Sequence, residues 1–167
     1  MTPLIEETAN AAAKAAPGSA RLSVLIPFYR DNPAPLLSTL GEPAPDGVEF
    51  ILFDDGTPDP VLNATVRAAV TRARAPARLL SAKTNLGRAA ARNRLARRAR
   101  GAWLLFLDAD MEAEADFLER WLALTGETSA QGLFGGYAPV APATRALRLH
   151  AALAHASDVK PAAARAK

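Results

Sequence analysis

The apolar run Trp103-Leu-Leu-Phe-Leu107, cut off abruptly by Asp108-Ala-Asp110, limits the architecture of this chain more than any other feature. It is too short for a stable helix and reads as a strand buried on both faces, which requires helices above and below its sheet. In an extended chain the side chains at i and i+2 point the same way, so both carboxylates should face one side. Two anions at the end of a core strand are costly to place together unless something positive lies between them. A hard divalent cation held through oxygen atoms is the simplest partner, commonly shared with substrate phosphates. A strand followed by an acidic turn is the plain alternative, because Asp is common in turns.

The remaining pattern alternates strand and helix. Strands are expected at Leu22–Tyr29, ended by Pro27, then at Val48–Phe53, Arg78–Ala82 and Gly132–Tyr137, with the run above between the last two. Helices are expected over Pro35–Leu40, Pro60–Arg74, Arg88–Arg100 (closed by Gly101), Phe117–Leu124 and Thr144–Ala156. Glu112, Glu114 and Asp116 supply negative charge where the fourth of these begins, as the helix dipole favours. Residues 1–20 are Ala-rich and read as a flexible leader, 21–140 as the folded domain, and 141–167 as a helical, polar tail. The fold class is α/β, an open, mostly parallel sheet with helices on both faces. In such sheets a ligand lies beyond the carboxyl ends of the strands.

Composition narrows the chemistry. The 167 residues contain no cysteine, which removes disulfides, thiolate metal sites and thiol nucleophiles, and fits a reducing, cytoplasmic setting. The two histidines, His150 and His155, would sit roughly 140° apart on a helix and make a poor metal pair. No run approaches the ~18 apolar residues that span a bilayer. The net charge is +3 and the basic residues are concentrated in the middle third, which suits a phosphate-bearing partner; nucleic acid is the competitor.

Four motifs fall at the same sheet rim: Pro27-Phe-Tyr29, Asp54-Asp-Gly56, Asn85-Leu-Gly-Arg88 and Asp108-Ala-Asp110. The Asp54-Asp55 pair reads either as a strand-to-turn junction or as an acceptor for the N–H edge of a pyrimidine, with Phe28 or Tyr29 over the ring. Asn85 to Arg88 opens a helix, where free N–H groups favour an anion. On a helical wheel Arg88 and Arg92 share a face with Leu95, Ala96 and Ala99, and an arginine pair there needs a counter-charge such as a diphosphate. Arg94, Arg97 and Arg98 lie opposite, as a solvated basic face rather than a nucleic-acid contact. Trp103 and Trp121 read as packing residues.

In their order and spacing, Ser23–Tyr29, Val48–Asp59, Asn85–Asn93 and Phe106–Asp110 resemble the family 2 glycosyltransferases over roughly residues 21–140. The resemblance implies a Rossmann-like GT-A fold and an inverting transfer from a nucleotide-diphosphate sugar, most simply a UDP-sugar, to an acceptor hydroxyl. It places Pro27, Phe28 and Tyr29 in the base pocket, Asp31 near the ribose, and Asp55, or Asp54 in its stead, on the base. Asn85, Gly87 and Arg88, with Arg92 behind them, would lie along the ribose and diphosphate. Asp108 would approach the ribose or a metal-bound water, and Asp110 would bind Mg²⁺ or Mn²⁺; both count as catalytic. The family's downstream acidic base has no counterpart here, since Asp158 is the sole acid beyond Tyr137. The fold is therefore expected to be incomplete on its C-terminal side, with apolar surface left for self-association. A noncatalytic nucleotide-sugar-binding or scaffold fragment is the alternative reading.

Overall fold

A computed structural model describes residues 5–15, 18, 20–133 and 135. The chain divides after Thr128. In the first unit five strands form one sheet: β1 (Ile5–Ala9), β2 (Ala20–Phe28), β3 (Val48–Asp54), β4 (Ala77–Ala82) and β5 (Gly101–Phe106), in the order β1-β4-β3-β2-β5. Strands β2 to β5 are parallel, and β1 joins β4 antiparallel. The helices are α1 (Ala11–Ala15), α2 (Ala34–Gly41), α3 (Pro60–Arg72), α4 (Arg88–Arg98) and α5 (Phe117–Glu127).

The central strands behave as their composition demands. Every residue of β3 is buried, because helices cover it on both sides. Val24, Ile26, Phe50 and Leu52 pack against Leu37 of α2, Val66 of α3 and Leu118 of α5. On the other face Leu25, Ile51, Phe53 and Leu80 meet Ala91 and Leu95 of α4. The two tryptophans lie half-buried against the first cluster, with Phe117 edge-on to Trp121 at 6.3 Å. Helix α3 begins where the sequence places it, because Pro60 fits the first helical position and the Asp59 carboxylate accepts from Val61 and Leu62 N–H.

Beneath the sheet Glu49 and Arg78, both almost fully buried, are paired at 3.0 Å. The other Glu49 oxygen accepts from the Ser23 hydroxyl and from Arg100 N–H, and Arg78 also donates to the Arg98 carbonyl. The group thus ties the lower ends of β2, β3 and β4 to the end of α4, the helix that opens at the opposite rim.

Several expectations need correction. Residues 1–20 are not simply a leader: Ile5–Ala9 pairs with Arg78–Ala82, and Asn10 donates to the Ala73 and Ala75 carbonyls while accepting from Ala77 N–H. Glu6 and Glu7 put charge on that edge strand, which discourages further pairing. Strand β5 is not buried on both faces. Among the described residues it is an edge strand, and Leu104 and Phe106, in register with Ser23 and Leu25, are 40% and 38% exposed while α4 packs over β2 and β3. Gly101 opens β5 rather than closing α4, which ends at Arg98. Strand β2 continues through Pro27 to Phe28. Of the expected fifth parallel strand, Gly132, Leu133 and Gly135 are not in a strand, and its other residues lie outside the described ones. The helix expected at Thr144–Ala156 also lies outside them.

Candidate functional site

The carboxyl ends of β2, β3, β4 and β5 point to one rim, and a cleft of about 400 Å³ opens there. Each motif at that rim reaches it by a different local device.

From β2, Pro27, Phe28 and Tyr29 form one wall, with Asp31 beside them. Tyr29 is 36% exposed, and the Arg30 guanidinium lies over its ring at 4.9 Å. Arg30 has φ of 66°, an uncommon conformation for a side-chain-bearing residue.

From β3, the two aspartates diverge. The Asp55 carboxylate lines the cleft and is nearly buried, and its oxygens accept from Leu86 N–H at 2.7 Å and Gly87 N–H at 2.9 Å. It therefore staples the β4–α4 turn in place, while an ionised carboxylate keeps lone pairs for a further donor. Asp54 does not line this cleft. It accepts from Thr57 N–H at 2.8 Å and lines a separate cavity of about 260 Å³ with Ser81 and Lys83. Gly56, between the aspartate pair and Thr57, has φ of +77° and runs against the backbone of Thr84 and Asn85, leaving no room for a β-carbon.

From the β4–α4 turn, Asn85, Gly87 and Arg88 line the cleft, as do Ala91 and Arg92 one turn further on. The N-terminus of α4 has no side-chain cap, so among the described residues no side chain accepts from the N–H groups of its first turn. The arginine pair is not embedded in the apolar face of α4. Arg88 is exposed, and only Ala91 and Leu95 of the helix are fully buried. Within the protein the counter-charge of Arg92 is Asp108, at 2.8 Å from Nη2 to Oδ1. On the outward face Arg98 pairs with Glu7 across to β1.

From β5, Asp108, Ala109 and Asp110 complete the cleft. The strand has already ended at Phe106, and Met111 N–H donates to the Asp108 carbonyl, so the two carboxylates share a site through a tight turn and not through strand alternation. The Asp110 carboxylate is exposed and, among the described residues, has no hydrogen-bond or ion-pair partner. No three acidic or histidine side chains converge among the described residues. A cation there would draw at most two carboxylates from this part of the chain, a donor set that suits Mg²⁺ or Mn²⁺ completing its shell with water and phosphate oxygens. Near Asp110, Glu114 and Asp116 both pair with Arg120, so they balance a local charge at the start of α5.

Eleven of the twelve residues singled out from sequence thus line one cleft, Asp54 being the exception. Thr57 and Arg30 were missed. The hydroxyl after Asp-Asp-Gly was a visible signal for the first, whereas nothing in the sequence marks a positive φ at Arg30.

A mostly parallel sheet with an open cleft at its carboxyl rim, walled by an aromatic, an arginine-headed helix and an acidic turn, matches a GT-A-like glycosyltransferase fold. The chain belongs to glycosyl transferase family 2, whose family model matches residues 23–156. Among solved structures it is similar to residues 1–349 of TarS from S. aureus, with a TM-score of 0.55 and 21% identity. That likeness concerns the fold; it covers 69% of this chain and 38% of the TarS chain, so the present chain spans well under half the length of its structural relative. No curated protein matches. Among the described residues no helix is long and apolar enough to cross a membrane.

Proposed function

We propose that the cleft is the donor site of an inverting glycosyltransferase and takes a nucleoside-diphosphate sugar, with UDP-sugars the best fit. The observation that carries this reading is the convergence of Tyr29, Asp55, Arg88 and Asp110, from four separate loops, on one cleft whose ~400 Å³ falls in the range of small-molecule sites.

In this reading Phe28 and Tyr29 cover the base, and Asp55 accepts from its N–H edge while holding the turn beneath it. Asp31 lies towards the ribose. Arg88 and the open N-terminus of α4 face the diphosphate, where cationic and N–H donors stabilise the negative charge that develops as the leaving group departs. Asp108 and Asp110 are the residues that would hold Mg²⁺ or Mn²⁺. When bound, the cation adds Lewis-acid stabilisation of the same phosphate oxygens. Arg92 keeps one oxygen of Asp108 engaged, which fixes the direction in which the other points. Inversion needs an acceptor hydroxyl to approach the anomeric carbon opposite the diphosphate, with a general base in reach.

Thermal unfolding against a panel of UDP-, GDP- and dTDP-sugars in Mn²⁺ tests the assignment. A ligand at 100 times its Kd adds about 2.7 kcal/mol, or roughly 5–10 °C for a domain of this size. A shift confined to one nucleotide class supports the reading. No shift with any of the panel removes it.

A further inference from the structure

Asp54, the last residue of β3, and Asp55 beside it lead into two different walls of the donor cleft. On its own side, buried Asp54 accepts from Thr57 N–H, and the buried Thr57 hydroxyl accepts from Arg30 N–H at 3.1 Å. The Thr57 carbonyl is itself held by the Asn63 amide at 2.9 Å. Thr57 is therefore fixed from three directions, and its oxygen is the hydrogen-bond partner of a backbone in the left-handed region. That conformation is unfavourable for arginine and persists where its surroundings determine it. Its consequence is that the Arg30 guanidinium lies over the Tyr29 ring, whose remaining surface helps to wall the cleft.

We infer that Thr57 and Arg30 are positioning residues for base recognition. Thr57, oriented by Asp54, holds Arg30 in its left-handed conformation, and the Arg30 guanidinium sets the Tyr29 ring as a platform backed by a cation, ready to stack on a pyrimidine. The inference rests on the donor-site reading given above and adds residues that touch no ligand. A guanidinium on one face of the ring restricts its tilt and makes the tyrosine one layer of an arginine–tyrosine–base stack. Because the relay acts only on the base-side wall, its loss should leave the grip on the diphosphate unchanged.

The test is calorimetric titration of the full chain with UDP and, separately, inorganic pyrophosphate, both in Mn²⁺. The variants are Thr57→Val, which keeps the shape without the hydroxyl; Thr57→Ser, which restores it; and Arg30→Gly, which tolerates the positive φ but lacks the guanidinium. Thr57→Val and Arg30→Gly should each lose several-fold in UDP affinity with pyrophosphate affinity unchanged, and Thr57→Ser should bind UDP as the wild type does. Arg30→Gly keeps the test informative should Thr57→Val fail to fold. A wild-type preference for UDP over pyrophosphate that survives in the folded variants overturns the inference alone, as does an equal loss for both ligands. A wild type that binds UDP no more tightly than pyrophosphate overturns the base-site reading and this inference with it.

Discussion

Replacing Gly56 by alanine probes how closely the fold and the site depend on each other. An added β-carbon would lie 2.4 Å from the Thr84 carbonyl carbon and 2.5 Å from Asn85 N, where ordinary contact begins at 3.4 Å. Both atoms are backbone, so the β4–α4 turn must retreat by about 1 Å, the difference between the contact limit and the clash. At least one of the hydrogen bonds from Leu86 and Gly87 to Asp55, at 2.7 and 2.9 Å, would then stretch beyond useful length. A bond to a charged group contributes roughly 1.5–3 kcal/mol, and the left-handed conformation costs a non-glycine residue roughly 1–2 kcal/mol. Against this, alanine restricts the unfolded chain by about 0.4–1 kcal/mol. Loss of one such bond with the strain gives a net destabilisation of roughly 2–4 kcal/mol.

Gly87→Ala is the matched control. Its φ of +90° with ψ of 155° is a backbone conformation open essentially to glycine alone, but nothing lies within 4 Å of the added atom, so it carries the conformational strain alone, a net ~1–2 kcal/mol. With a urea m-value of about 2 kcal/mol/M, the Gly56 variant should unfold roughly 0.5–1 M earlier than the Gly87 variant. Coincident midpoints would show that the close approach of the two turns is not what Gly56 provides, and would refute the reasoning.

Three further outcomes follow from the same structure. Asp59→Ala should lower stability by about 1 kcal/mol through loss of the α3 cap, read by urea unfolding, with UDP affinity unaltered. Glu49→Leu and Arg78→Met should each cost roughly 3–5 kcal/mol by leaving a buried partner uncompensated; the double variant should cost less than the sum, and strictly additive unfolding energies would show that the pair is not coupled. Arg92→Ala should change stability by less than about 1 kcal/mol, because its ion pair is a third to a half exposed, yet weaken Mn²⁺-dependent UDP binding by freeing Asp108.

The sheet was legible wherever hydrophobic burial alone decides structure. Val48–Phe53 is apolar at nearly every position and proved to be the central strand, while the helical spacing from Pro60 onward marked α3. What sequence could not show depended on neighbours distant in the chain. Ile5-Glu-Glu-Thr-Ala9 has too little apolar character to declare a strand, and becomes one only because β4 offers a free edge. Trp103–Leu107 looks fully buried because its composition carries no information about which strands flank it. The rim motifs were correctly gathered because parallel order alone brings strand ends together. The divergence of Asp54 from Asp55 follows from the pleat and from the turn through Gly56, details finer than the motif. The Arg92–Asp108 pair needed the placement of α4 over the sheet, which a helical wheel does not supply.

In the proposed donor site the acidic turn after β5, with the arginine-headed α4 lining the same cleft, would bind a cation shared with a nucleoside diphosphate. Calorimetric titration of UDP with and without Mn²⁺, on the wild type and on Asp110→Ala, tests it most directly. Wild-type affinity should rise at least tenfold with the metal, and the variant should lose that increment. UDP binding that ignores Mn²⁺ and persists unchanged in Asp110→Ala would contradict the account.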